Sequence, residues 1–341
     1  MGPYARHVLG GIALAAAASL ATSARASEGG VSLWIPGQSV PTGGILPPEG
    51  VYFDSTTWFY NATFARGGST VLGGNVVANV RANIVANFVT GLWVTPVEIL
   101  GGKLAVAVVV PFGEPAVRAG VLIDGPIVNR ALGRPLAFGA RDATFNAGDP
   151  IVSASLGWHS GNWHWKLNAA VSIPAGAYEP GQLSNVALNR VVGDFSAGAS
   201  YIDPASGIEL SAVAGFAVNG ENPSTRYVTG DEFHLDASIS KYLTKEVSVG
   251  AIVSHYQQIT GDSGPGARLG PFKGRVTAVG GTLGLTVPVR QIPVSARFKV
   301  LRDVEVENRF QGTTGYFEVS FPLWVAAPKA APEPRSLVTK S

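Results

Sequence analysis

No cysteine occurs anywhere in the chain, which removes disulfide frameworks, thiolate metal sites and cysteine nucleophiles together. The single methionine is the initiator. Charge is scarce: Asp, Glu, Lys and Arg make up 14% of the residues, against roughly 25% in ordinary soluble domains. The net charge is +2, so no nucleic-acid footprint and no acidic partner surface is implied. Long apolar runs are missing too. Past the N-terminus nothing reaches the ~18–20 uninterrupted apolar residues of a membrane helix; the longest candidate, Leu104 to Phe112, is half that length and runs into a proline. Catalytic signatures are equally thin. There is no G-x-S-x-G elbow and no H-E-x-x-H zinc pattern, and Gly261 to Gly266 lacks the Lys-Ser/Thr pair of a phosphate loop. No cofactor and no metal site is expected.

What is present is 46% hydrophobic residues with 43 Gly and 23 Pro, a composition that turns often. Arg6 and His7, the apolar Val8 to Ala21 and the small-x-small Ala24-Arg25-Ala26 read as a secretory signal over residues 1–26. Residues 27–50 are a Gly/Pro-rich arm with one apolar knot, Leu33-Trp34-Ile35, placed where it could plug a lumen. Pro36, Pro41, Pro47 and Pro48 rule out regular structure there.

From Val51 the text becomes β. Trp163 to Ile173 puts Trp163, Trp165, Leu167, Ala169, Val171 and Ile173 on one face and His164, Lys166, Asn168 and Ser172 on the other. Asn75 to Trp93 alternates over a long span, with Val76, Ala78, Val80, Ala82, Ile84, Ala86 and Phe88 opposed to Asn75, Asn79, Arg81, Asn83 and Asn87. Glu209–Asn219, Glu232–Ser240, Ser295–Val300 and Tyr316–Trp324 repeat the pattern. About twelve strands are expected between residues 51 and 325, several longer than the ~5–6 residues usual in globular proteins.

Connections alternate in length. Thr95–Gly102, His159–Asn162, Asp203–Gly207, Lys241–Glu246 and Pro288–Ile292 are short; Phe112–Asp142, Ala175–Arg190, Gly220–Gly230, Gln257–Lys273 and Asp303–Thr314 are long. Short periplasmic turns and long extracellular loops belong to outer-membrane barrels. Trp58, Trp93, Trp158, Trp163 and Trp324 near strand ends suit interfacial girdles. Each strand has one apolar face and no helix is available to cover it, so two sheets face one another or the faces meet lipid. The expected fold is an all-β, transmembrane, antiparallel up-and-down barrel in the outer membrane, with lipid outside and a polar lumen.

Projected inward on that scheme are Asn79, Arg81, Asn83, His164, Lys166, Asn168, Glu209, Glu232, His234, Asp236, Arg297, Lys299 and Glu318. Both signs occur, as in an ion network filling a narrow lumen. His164, His234 and His255 are the candidates if the barrel were a lipid-modifying enzyme; a lumen or turn histidine is the plainer reading.

Several separated segments resemble one family. Ser27-Glu-Gly-Gly-Val-Ser-Leu-Trp-Ile-Pro-Gly37, Leu46-Pro-Pro-Glu-Gly-Val-Tyr52, Asn219 to Tyr227, Gly230-Asp-Glu-Phe-His-Leu-Asp236, Tyr256 to Gly264, Gly270 to Val276 and Glu307 to Gly312 are similar to the "protein involved in the meta-pathway of phenol degradation". The resemblance spans essentially the whole mature chain. It implies an outer-membrane β-barrel, often encoded with aromatic-degradation genes, that admits hydrophobic or aromatic compounds; it carries no catalytic residues. Residues 326–341, a Pro/Ala-rich tail after Trp324, depart from the terminal aromatic by which the barrel assembly machinery reads such proteins, and read as disordered. The expected function is passive uptake of a small hydrophobic or aromatic solute, with membrane lipid and that machinery as partners. A barrel-embedded enzyme and a secreted structural β protein are the alternatives.

Overall fold

A computed structural model of the chain describes residues 28–64, 69–123 and 136–327. The expected signal segment and all but two residues of the tail lie outside them. Twelve antiparallel strands close into one barrel: β1 (Gly50–Phe64), β2 (Arg81–Ile99), β3 (Gly102–Ile123), β4 (Ile151–Ser160), β5 (Trp163–Ser172), β6 (Val192–Asp203), β7 (Ile208–Asn219), β8 (Glu232–Tyr242), β9 (Val247–Gln258), β10 (Arg275–Val289), β11 (Ile292–Glu307) and β12 (Phe310–Val325). Each strand pairs with its neighbours in sequence. The ring closes between β12 and β1, paired from Gly50↔Val325 to Phe64↔Phe310. Closure leaves no sheet edge open, which is what lets strands cross a bilayer. No helix among the described residues is long and apolar enough to do so.

Period-2 patterning sorts the two faces. Along β7, Glu209, Ser211, Val213 and Asn219 are buried while Leu210, Phe216 and Val218 stand exposed on the outside. Along β5, Trp163, Trp165, Leu167 and Val171 are exposed. Such side chains would be stranded in water, where each Å² of apolar surface costs about 25 cal/mol; an apolar phase around the barrel removes the cost. Outward Trp93, Trp163, Trp165 and Trp324 gather at the end of the short turns.

Those turns are tight. β2 and β3 meet at Leu100-Gly101, and β10 and β11 at Arg290-Gln291, with all four residues at positive φ, the geometry of two-residue hairpins. At the opposite end the gaps are long, except one. The expected loop Asp303–Thr314 is instead hairpin: β11 runs to Glu307, β12 starts at Phe310, and Asn308 turns at φ 53°. Asp303-Val-Glu-Val-Glu307 keeps the strand period with charges on it, because the strands outgrow the apolar band.

Two further expectations change. Asn75 to Trp93 is not one strand. Asn75–Ala78 folds back on Ser69–Leu72 as a separate hairpin, and the chain turns at Asn79 (φ 51°) before β2 begins. Trp58 is no girdle residue; it is 7% exposed and faces the interior.

Candidate functional site in the barrel lumen

The arm ahead of β1 lies inside the barrel. Its Gly and Pro content denies it a ladder of its own, so its backbone groups need partners from the wall. β6 to β9 supply them. Gly37 N donates to Asp236 Oδ1 (2.9 Å) and to Ser254 Oγ (3.0 Å), and Ser39 N donates to Asp236 Oδ2 (3.0 Å). Thr42 N donates to Glu209 Oε1 (2.7 Å), Gly43 N to Ser211 Oγ (2.9 Å) and Gly44 N to Ser200 Oγ (3.0 Å). From β11, Lys299 Nζ donates to the Gly37 and Gln38 carbonyls; from β12, Tyr316 OH donates to Pro36 O at 2.7 Å. Hydrogen bonds with a charged partner are about twice as strong as neutral ones, so Asp236 and Glu209 are the main clamps. The approach is close. A Cβ at Gly44 would lie 2.6 Å from Ser200 N, and one at Gly198 2.4 Å from Gly43 O; both contacts require glycine.

The side chains of the arm pack against both walls, Trp34 on β8 and β9, Ile35 and Val40 reaching β1 and β2 as well. Trp34 stacks between His234 (centroids 5.2 Å) and Tyr256 (6.0 Å), and the Arg309 guanidinium sits 3.9 Å over the Tyr256 ring. Ile35 and Val40 pack with Trp58, Ala86, Leu301 and Tyr316, with Ile84 and Phe88 beside them. Leu33, the third member of the knot, is only half-buried.

The arm thereby divides the lumen. On the long-loop side is a small cavity of about 110 Å³, walled by Trp34, Trp58, Tyr60, Ile84, Val117 and Phe310. Its lining residues include buried polar atoms without hydrogen-bond partners: Trp34 Nε1, Trp58 Nε1, Arg309 Nη1, Asp303 Oδ1 and Thr314 Oγ1. On the short-turn side lies a polar chamber of about 640 Å³, lined by Lys166, Asn168, Arg297, Lys299, Glu318 and Asp54 among others. Lys299 pairs with Glu318 at 2.7 Å, with Arg297 4.0 Å from the same carboxylate.

Loops roof the outer mouth. The Ser69–Ala78 hairpin meets the third long loop at Gly181 N→Gly73 O, and Asn222 Nδ2 donates to Glu28 Oε2 at the start of the arm (3.0 Å). Burial raises the Glu28 carboxyl above its ordinary value, opposed by Thr225, Arg190, Asn222 and Tyr178. Burial likewise raises Asp262, opposed by hydrogen bonds from Tyr227, Gly230 and Gln258.

Among the residues expected in the lumen, His164, Lys166, Asn168, Glu209, Glu232, His234, Asp236, Arg297, Lys299 and Glu318 stand on the inward face. Asn79, Arg81 and Asn83 do not. All three are exposed on the outside, because on β2 it is the apolar face, Ala82, Ile84 and Ala86, that turns in against the arm and Trp58. His255 also points outward, to Thr277 Oγ1 at 2.9 Å. His234 pairs with Asp194 (2.7 Å), and among the described residues no histidine is hydrogen-bonded to a serine. Sequence reasoning missed Trp58, Tyr60, Asp194 and Arg309; only the aromatic density of β1 hinted at the first two.

The profile of the family described as "Putative MetA-pathway of phenol degradation" matches residues 65–319. The chain belongs to that family. Among curated proteins none matches it by sequence. An outer membrane channel from Pseudomonas putida F1 is similar in structure, with 16% identity, a TM-score of 0.63 and coverage of 83% of this chain and 98% of that one. A FadL homologue from Pseudomonas aeruginosa aligns over 88% of this chain and 98% of its own at 8% identity and a TM-score of 0.37. The first similarity establishes the fold of this family member as an outer-membrane β-barrel.

Proposed function

We propose that this barrel is a passive outer-membrane channel for small hydrophobic or aromatic compounds, closed at rest by its own N-terminal arm. The observation that carries it is the arm itself, a segment without strand or helix along most of its length, hydrogen-bonded to one inner wall, stacked on it through Trp34, and packed by Ile35 and Val40 against the wall opposite. Nothing in a barrel's stability demands such a filling. A solute enters between the aromatic walls of the upper cavity, where indole N–H groups and Asp303 can meet a ring substituent. Displacement of the arm joins that cavity to the polar chamber, which leads toward the short turns. The family's link with phenol degradation and the similar channel from Pseudomonas putida support this reading. A signal-directed export route and insertion by the barrel assembly machinery go with it.

Deleting Val31 to Ile45 from the full chain tests the proposal. Liposomes carrying the deleted barrel, checked for folding by heat-modifiable migration, should admit a monocyclic aromatic solute markedly faster than those carrying the intact protein. Equal permeability would sink the plug.

A further inference from the structure

The three residues that leave the expected lumen face lie beside a feature of the outer surface. In the antiparallel register Arg81 on β2 stands directly opposite Arg118 on β3. Arg118 stands directly opposite Arg141 on the Leu136–Ala143 strand that extends β3. Directly opposed residues share a face with Cβ atoms about 5 Å apart, so three guanidinium groups form one lateral row. All three are exposed, and none has an ion-pair or hydrogen-bond partner among the described residues. The nearest outward acid on these strands, Glu114, lies four residues down β3, roughly 13 Å away. Like charges set opposite one another destabilise a sheet unless an anion lies between them.

The height of the row identifies the anion. Arg81 is twelve residues along β2 from Trp93, the outward tryptophan at the short-turn end. At ~3.3 Å per residue and a tilt of about 40°, that is roughly 30 Å of rise, against an apolar band about 25 Å tall. The arginines therefore sit just beyond the band, at the level of lipid headgroups on the long-loop side. Below them, past the outward Asn83 and Glu114, the outward column on β2 and β3 turns apolar, with Val85, Val106, Val108 and Val110 exposed.

We propose that Arg81, Arg118 and Arg141 bind the phosphates of a phosphorylated glycolipid of the outer leaflet, whose acyl chains lie along the valine column. Arginine suits the task, since its planar fork matches phosphate oxygens bidentately. The site is on the outside of the wall and is independent of what crosses the lumen.

Native mass spectrometry of the full chain in detergent, titrated with diphosphoryl lipid A and with its dephosphorylated form, tests this. The intact protein should prefer the diphosphoryl form, and millimolar inorganic pyrophosphate should fail to displace it. Each arginine near an anionic lipid surface is worth roughly a factor of five, so the R81Q/R118Q/R141Q variant should lose about 100-fold in binding, while retaining heat-modifiable migration. If the triple variant does not fold, R118Q alone should weaken binding about fivefold, and R118K should restore most of it. Arg275→Gln should change nothing, because that guanidinium already faces Glu305 and Glu307 at 3.2 Å. No preference for the phosphorylated form, displacement by pyrophosphate, or equal binding by the arginine variants would overturn the proposal.

Discussion

The wall formed by β6 to β9 and the wall formed by β1 and β2 hold the same arm by different means. The first presents carboxylates and serines and grips the backbone: Asp236, Glu209, Ser254, Ser211 and Ser200 take up N–H groups from Gly37 to Gly44. The second presents Trp58, Ala86 and their neighbours and grips the side chains of Ile35 and Val40, while Trp34 stays with the first, stacked on His234 and Tyr256. A backbone wall fixes where each residue of the arm lies, because hydrogen bonds are directional. A side-chain wall supplies burial with little demand on register. The arm is thus fixed in register by one set of contacts and buried by the other.

Breaking the apolar grip should have the largest effect. Trp34→Ala removes a ring stacked on His234 and Tyr256, at a cost to arm docking of about 3–5 kcal/mol. Single-channel recordings should show long open events absent from the intact protein. Breaking the backbone grip comes next. Asp236→Ala leaves the N–H of Ser39 unpaired and that of Gly37 with only Ser254, about 1–3 kcal/mol for each orphaned donor, and should give more frequent, shorter openings. Ser200→Ala orphans Gly44 N and removes the Ser200–Ser211 hydroxyl hydrogen bond, and should cost about 1–2 kcal/mol. If Ser200→Ala opens the channel more than Trp34→Ala does, the ranking of apolar contacts above backbone hydrogen bonds is wrong.

The gentlest probe is pH. Burial raises the Glu28 carboxyl when the arm is docked, whereas a released arm restores its ordinary value. The docked state thus binds more protons in the interval between the two values, and linkage makes docking stronger as pH falls through that interval and weaker as it rises. Open probability should decline modestly on acidification from neutral toward the ordinary carboxylate range. Glu28→Gln should flatten that slope; an unchanged slope would assign it elsewhere.

Much of this was legible in the residues. β5, β7, β8, β11 and β12 alternate apolar and polar because lipid lies outside and a polar lumen inside, so two faces in the text became two phases in space. The same alternation in β2 was readable as two faces but not as inside or outside. A one-residue change of phase inverts a strand, and what inverts β2 relative to a polar lumen is the arm's Ile35 and Val40, contributed by a distant part of the chain. Trp58 misled for the same reason, its position near aromatic neighbours being as good for a girdle as for a plug's counter-face. The grip of Asp236 and Glu209 on the arm has no local signature. Those bonds join residues 167 to 199 positions apart, and nothing near either carboxylate announces its partner.

That separation bears on how the molecule comes to exist. The arm precedes every barrel strand in the chain, yet its polar partners stand on β6 to β9, and the entropy of closing such long loops rises with their length. Contacts of that range form late. The segment made first is therefore seated last, and the nascent ring passes through a hollow stage. Where the arm is the plug proposed above, each newly inserted copy stays open until its own leading end folds in behind it.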